Sequence, residues 1–289
     1  MARSRIHLAL FAVAILFSLN YIISKLAVSA FAPLTFGYLR VVGSAIVLMA
    51  LVRPSIADLT RKDWAKLFAY SMLGVVINQS FFLVGLSLTS AHIAAILMTM
   101  IPVFTLADAI VLGRERATLA KIGGIVLAFS GALLVVMREG LGGATKSFLG
   151  DWLLIINGFA YALYLVVAKR DMARLAPRRV IAIVFGIASI AMLPVSLHSM
   201  INEHWSAIPP RAWLALVLVI LGPTVAAYLL NAWALAYTSS SLVAAYTYLQ
   251  PVLTAGLAAA WLHETISGAA AIAAVMIFTG LYLSGLDSV

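Results

Sequence analysis

The sequence predicts an all-α integral membrane protein with ten transmembrane helices arranged as two inverted five-helix repeats. Three observations predict it. First, 64% of the 289 residues are hydrophobic and only 10% are charged, with a mean hydropathy of +1.09; a soluble domain carries nearer a quarter charged residues. Second, the apolar residues gather into ten runs, each near the roughly 20 residues that a helix needs to cross the hydrocarbon. Third, stretches of the chain match at an offset of 149 residues: Gly85-Leu86 with Ala234-Leu235, Thr89-Ser90 with Thr238-Ser239, Pro102 with Pro251, Glu115 with Glu264, and Gly131 with Gly280.

Taken in order, the expected spans are 6–28, 34–52, 67–88, 92–112, 118–137, 150–170, 180–199, 212–236, 242–262 and 266–286. The first follows Arg3 and Arg5 and is too long for a secretory signal, so it is expected to stay as a permanent span. The second carries Arg40 and the third carries Asn78 and Gln79. The fourth and ninth are centred on Pro102 and Pro251, and the fifth and tenth are rich in glycine at Gly123-Gly124, Gly131, Gly280 and Gly285. The sixth holds Asn157, Tyr161 and Tyr164, and the eighth is apolar on every side over Leu214 to Leu221 before it reaches Asn231. That all-round apolarity argues against barrel strands, which alternate apolar and polar positions. Glycines at 140, 142 and 143 supply a turn between the fifth and sixth spans. The repeats are therefore bounded at 1–139 and 146–289. Weaker matches at an offset of 144, Phe17 with Tyr161, Lys25 with Lys169 and Pro33 with Pro177, extend the duplication to the first and sixth spans.

The net charge of +9 needs no nucleic acid to explain it. Placing the N-terminus in the cytoplasm puts Arg3, Arg5, Arg53, Arg61, Lys62, Lys66, Arg114, Arg116, Lys121, Lys169, Arg170, Arg174, Arg178 and Arg179 on one side. Lys25, Arg138, Lys146 and Arg211 fall on the other. Lys and Arg accumulate in cytoplasmic loops, so a multi-pass protein of the cytoplasmic membrane with both termini inside is expected. Five spans per half then make the second repeat enter with the opposite orientation, the arrangement of many secondary transporters. The chain has no cysteine, and His92, His198, His204 and His263 lack metal spacing, so neither a metal nor a cofactor is expected. Trp64, Trp152, Trp205, Trp213 and Trp261 near span ends fit interfacial anchors.

Over nearly its whole length the chain resembles the EamA-type transporters of the drug/metabolite transporter superfamily. The residues that carry the resemblance are Ile101-Pro102-Val103-Phe104 and Gln250-Pro251-Val252-Leu253, the turns at Glu115 and Glu264, and the glycine-rich fifth and tenth spans. Arg114, set between Gly113 and Glu115, and Asp108 depart from the family pattern. The resemblance implies export or exchange of small polar metabolites or drugs through a central cavity, often coupled to protons.

Each proline lacks an N–H, so the carbonyls of Met98 and Thr247 lose their helical partners, which hydrocarbon tolerates only beside a satisfying neighbour or a wet cavity. Helical spacing puts Thr247, Gln250, Pro251 and Thr254 on one face, flanked by Tyr246, and Met98, Pro102, Thr105 and Asp108 on the matching face of the fourth span. Such faces line a pore or glue helices together. Arg40 and Asp108 are intramembrane ionisable residues and hence functional candidates. At 1.5 Å per residue they lie about 9 and 24 Å from the outer side, so no direct ion pair is expected between them. Arg40 suits a substrate carboxylate or phosphate, and Asp108 is a proton-coupling candidate. Asn20, Asn78, Gln79, Asn157, Tyr161, Tyr164 and Asn231 are expected to face inward, whereas Lys25 near a helix end suits snorkelling.

No phosphate-binding loop is present, so energy would come from a gradient. No His-Glu-x-x-His or Gly-x-Ser-x-Gly segment is present either, and an enzyme is not expected. The alternative is a lipid-flipping or lipid-modifying protein, whose site would also be a polar cleft among apolar helices. Expected partners are a small-molecule substrate and the bilayer; a homodimer is compatible, a monomer sufficient.

Overall fold

The computed structural model describes residues 3–113, 118–141, 145–238, 240–262 and 268–285, and all regular structure among them is helical. The turns containing Arg114, Glu115, Arg116, His263 and Glu264, and Gly142-Gly143 of the expected boundary, lie outside the described residues.

Helix α1 (Arg3–Ala27) forms the first span and α2 (Pro33–Val52) the second, with Pro33 in the first turn, where a missing N–H would have no helical partner anyway. The third path begins at a capping box: the Thr60 hydroxyl accepts from the Asp63 amide while the Asp63 carboxylate accepts from the Thr60 amide. It continues through α3 (Arg61–Ser71), a π-helical turn at Met72–Ile77, and α4 (Asn78–Leu88). Helices α5 (Ala91–Met98) and α6 (Met100–Val111) part at Thr99, and α7 (Leu119–Leu141) follows. After α8 (Thr145–Leu175), α9 (Pro177–Ala191) and α10 (Leu193–Ile201) meet at a bend of 52°. Helix α11 (Pro210–Val219), a second π-helical turn at Ile220–Ala226, and α12 (Ala227–Tyr237) make another composite path. Finally α13 (Ser240–Ala245) and a 3-10 turn at Tyr246–Tyr248 lead to α14 (Leu249–Trp261), and α15 (Gly268–Gly285) closes the chain.

By length and apolarity six of these helical paths can cross a membrane, and a seventh if the bent α9–α10 pair counts as one. The architecture is thus all-helical and multi-pass, with six or seven such paths where ten were expected. Two further apolar stretches, Ile122–Gly131 and Leu242–Ala258, are shorter. Large apolar side chains such as Leu8, Ile46, Val111 and Val252 are more than three-fifths exposed, as a lipid-facing belt requires.

The backbone irregularities recur at the offset seen in the sequence. The π-helical turns end at Ile77 and Ala226, the breaks in the fourth and ninth paths fall at Thr99 and Tyr248, and Thr89 and Thr238 both cap a helix in extended conformation. Each pair is 149 residues apart. Pro102 and Pro251 are the third residues of the helices that restart after those breaks, so the carbonyls they would orphan sit at the discontinuities.

Helices α7 and α15 pack along each other within the chain, and Gly280 sets their spacing. A Cβ there would lie 2.5 Å from the Gly124 carbonyl oxygen and 2.7 Å from the Ala128 nitrogen, both backbone atoms. Small residues allow this approach. Gly280→Ala should therefore destabilise the protein by about 1–3 kcal/mol through overpacking, lowering its thermal unfolding midpoint in detergent. Gly123→Ala, with open space around it, should not lower it.

Candidate functional site

The site is built outward from a helical defect. Pro223, inside the second π-helical turn, has no N–H to offer the Val219 carbonyl four residues back. The Thr224 hydroxyl donates to that carbonyl instead, at 2.8 Å. Its oxygen then accepts from Arg40 Nε at 2.7 Å. Arg40 reaches this partner from α2, across the molecule, and is the largest fully buried side chain, only 1% exposed. Its Nη1 is buried without a hydrogen-bond partner.

Arg40 lines a cavity of about 60 Å³ together with Phe17, Asn20, Tyr21, Asn78, Gln79, Phe82, Met98, Ile101, Asn157, Tyr161, Tyr228 and Gln250. A cavity of that size holds a few waters at about 10–15 Å³ of probe-occupied volume each. No carboxylate is among these residues. Ion pairs among the described residues lie elsewhere, at Lys66–Asp171, Arg174–Asp63, Arg174–Asp171 and Arg179–Asp58. The hydrogen bond from Arg179 holds the Asp58 carboxyl of that surface pair below the usual carboxylate range.

The wall of the cavity is a hydrogen-bonded ring drawn from several helices. Gln79 Nε2 donates to the Tyr228 hydroxyl at 2.9 Å, and that hydroxyl donates to Asn78 Oδ1 at 3.1 Å. Asn157 Nδ2 donates to the Asn78 carbonyl at 2.5 Å, and Tyr21 donates to Gln250 Oε1 at 3.1 Å. Phe17, Phe185 and Tyr161 meet the Tyr228 ring at steep angles, fixing its plane. Gln79 Oε1, like Arg40 Nη1, is buried without a partner. The cavity therefore offers one unanswered cationic donor and one unanswered neutral acceptor.

Gln79 and Tyr228 are 149 residues apart and touch. The cavity wall thus brings residues from matching positions of the sequence repeat into contact. Ile101 and Gln250, also 149 apart, line the same cavity.

Of the residues singled out in the sequence, the cavity brings together Arg40, Asn20, Asn78, Gln79, Met98, Asn157, Tyr161 and Gln250. The others stand around it. Asn231 donates to the Tyr161 hydroxyl from behind, and Tyr164 stacks beneath Tyr161 against Gly74. Thr105 returns its hydroxyl to the Ile101 carbonyl within α6, and Thr247 of the 3-10 turn bonds the Ala244 carbonyl at the end of α13. Pro102 and Pro251 are buried near the breaks, and Tyr246 accepts or donates a 2.6 Å hydrogen bond with His7 at a separate apolar crevice. Asp108 is buried on α6 away from the cavity, with Oδ2 unpartnered. Lys25 does not snorkel: its ammonium bonds the Leu86 and Thr89 carbonyls, capping the end of α4, because those last carbonyls have no helical donor. Tyr228, Thr224 and Pro223 were not singled out, although Tyr228 could have been found as the 149-residue counterpart of Gln79.

A profile of the EamA-like transporter family matches residues 4–137 and again 148–286. An uncharacterised transporter of Archaeoglobus fulgidus is 28% identical over 284 residues, covering 97% of each chain. A probable amino-acid metabolite efflux pump of Escherichia coli is 28% identical over 182 residues, 59% of each chain. A solved crystal structure superposes with a TM-score of 0.70 over 99% of both chains at 22% identity, a likeness of fold alone. The profile covers almost the whole chain in two stretches, around a polar cavity walled by apolar helices, and the protein belongs to the EamA-like transporter family of the drug/metabolite transporter superfamily.

Proposed function

We propose that the protein is a secondary transporter that exports a small, carboxylate-bearing polar metabolite, an amino acid or related compound, from the cytoplasm by alternating access. Its two halves, 1–139 and 146–289, act as inverted five-helix repeats making ten crossings, with both termini in the cytoplasm. The observation that carries this reading is Arg40: a buried guanidinium, held by Thr224, with Nη1 unanswered at a cavity that contains no carboxylate. A charge at the bilayer centre costs about 2.5–3.5 kcal/mol even on lenient scales, and a planar anion that accepts from the fork offsets that cost. The amino-acid substrate is supported by the name of the Escherichia coli relative.

In this reading Gln79 Oε1 accepts from a substrate N–H, and the Tyr228 ring network keeps it aimed. Asp108 carries the coupled proton: it is an ionisable carboxyl inside an apolar span, buried with Oδ2 unpartnered. The contrasting lipid-handling reading has one feature in its favour, the apolar crevice of about 780 Å³ between α1 and the start of α14, lined by Leu8, Phe11 and Leu249.

Flux of pooled amino acids in proteoliposomes, with and without a pH gradient, tests the assignment. Arg40→Gln should cut flux of carboxylate substrates roughly 10–100-fold, the worth of a charged hydrogen bond of about 1.5–3 kcal/mol. Asp108→Asn should abolish acceleration by the gradient while leaving exchange at zero gradient. Tyr228→Phe removes the hydrogen bond to Asn78 and should cost about 1–3 kcal/mol of stability, read as a lower unfolding midpoint. Scrambling of labelled phospholipid without amino-acid flux would replace the transporter reading with the lipid one.

A further inference from the structure

The cavity is closed toward one end of the bundle by a column of side chains that finishes in an ionic network. On α8, Asn157, Tyr161, Tyr164 and Asp171 follow at helical spacing on one face. Asn157 and Tyr161 line the cavity. Tyr164 stacks below Tyr161 with ring centroids 5.8 Å apart and meets Tyr70 of α3 edge-on at 6.3 Å. Tyr70 and Tyr164 are at most 4% exposed. Gly74, in the first π-helical turn, makes room for the column, since a Cβ there would come within 2.8 Å of the Tyr164 ring.

The Tyr70 hydroxyl donates to Asp171 Oδ2 at 2.7 Å, and Lys66 reaches the same oxygen at 3.1 Å. Arg174 holds Asp171 Oδ1 at 2.7 Å and also bonds Asp63 at the start of α3. Both carboxylates are buried, while Lys66 and Arg174 are about half exposed. From Asn157 to Asp171 is 14 residues along α8, or about 21 Å.

We propose that this network is the gate latch of the carrier: it holds α3 of the first half against α8 of the second and shuts the basic end of the bundle. The inference rests on the transporter reading above. Its distinguishing feature is that every bond across the two helices can break without stranding a charge. When α3 and α8 separate, Asp171 keeps Arg174, its neighbour three residues along the same helix. The Asp63 carboxylate keeps the bonds it accepts from the Thr60 amide and hydroxyl, both at Oδ2. A buried pair that loses one partner outright is strongly destabilised, whereas each half of this latch carries its own spare partner. Lys66, which is released, and Arg174, which loses only Asp63, already reach water. Two discrete arrangements of comparable stability are what a switch requires.

The chain has no cysteine, so a single Met98→Cys substitution places a reporter in the cavity wall. Its labelling by a membrane-impermeant maleimide is followed from each face of sealed vesicles of known orientation. Arg174→Gln and, separately, Asp171→Asn should raise the labelling rate from the basic face roughly tenfold, the shift of a population that the latch holds closed, and slow labelling from the opposite face. Arg174→Lys should return the rate toward that of the Met98→Cys parent. An unchanged ratio of rates in Arg174→Gln that elutes from a sizing column like the parent overturns the latch. Labelling from neither face in any variant, with full labelling after denaturation, overturns the carrier reading itself.

Discussion

A guanidinium buried among apolar helices with one nitrogen unanswered is the constraint around which the rest of this structure is arranged. Among the described residues no carboxylate lines the cavity beside it. The guanidinium is supported by a helix that has been deliberately left imperfect. Pro223 frees a carbonyl, Thr224 takes it up, and the same hydroxyl oxygen receives Arg40. Without the proline, the Val219 carbonyl could bond the amide four residues on, and the Thr224 hydroxyl would no longer be needed between that carbonyl and Arg40.

The wider rule is that a bilayer leaves no backbone polar group to water. Irregular backbone therefore collects where polar side chains or a cavity can answer it. The interruptions at Met72–Ile77 and Thr99 adjoin residues that line or back the cavity, and that at Ile220–Ala226 carries the Thr224 that holds Arg40, while much of the exposed Leu, Ile and Val lies on regular helix. Lys25 shows the same rule at a helix end, where its ammonium serves carbonyls that have run out of amide donors.

Much of this was legible in the sequence because it is written locally. Composition declares the membrane, proline declares the breaks, and an Arg, Asn or Gln inside an apolar run declares an inward face. Eight of the expected residues meet in one cavity for that reason. What was not legible depends on distance across the fold. Tyr228 sits in an apolar stretch where a tyrosine reads as core, and its role appears only when Gln79 arrives from the other half. Tyr164 shares a helical face with Asn157 and Tyr161, yet the cavity ends above it because Gly74 lets its ring fill the space. Asp108 and Arg40, both conspicuous in sequence, occupy separate places. Among the described residues six helical paths, or seven with the bent α9–α10 pair, meet the length and apolarity of a crossing, against ten apolar runs in the sequence.

The contact between Gln79 and Tyr228 has a meaning beyond its energy. Positions that meet across a twofold axis hold, in a pair of identical chains, two copies of one residue: two amides or two phenols. A single chain carrying both repeats is released from that identity. It can set an amide against a phenol, so that the hydrogen bond at this contact has a direction, and two stretches that match in sequence place different chemistry on the wall of one cavity.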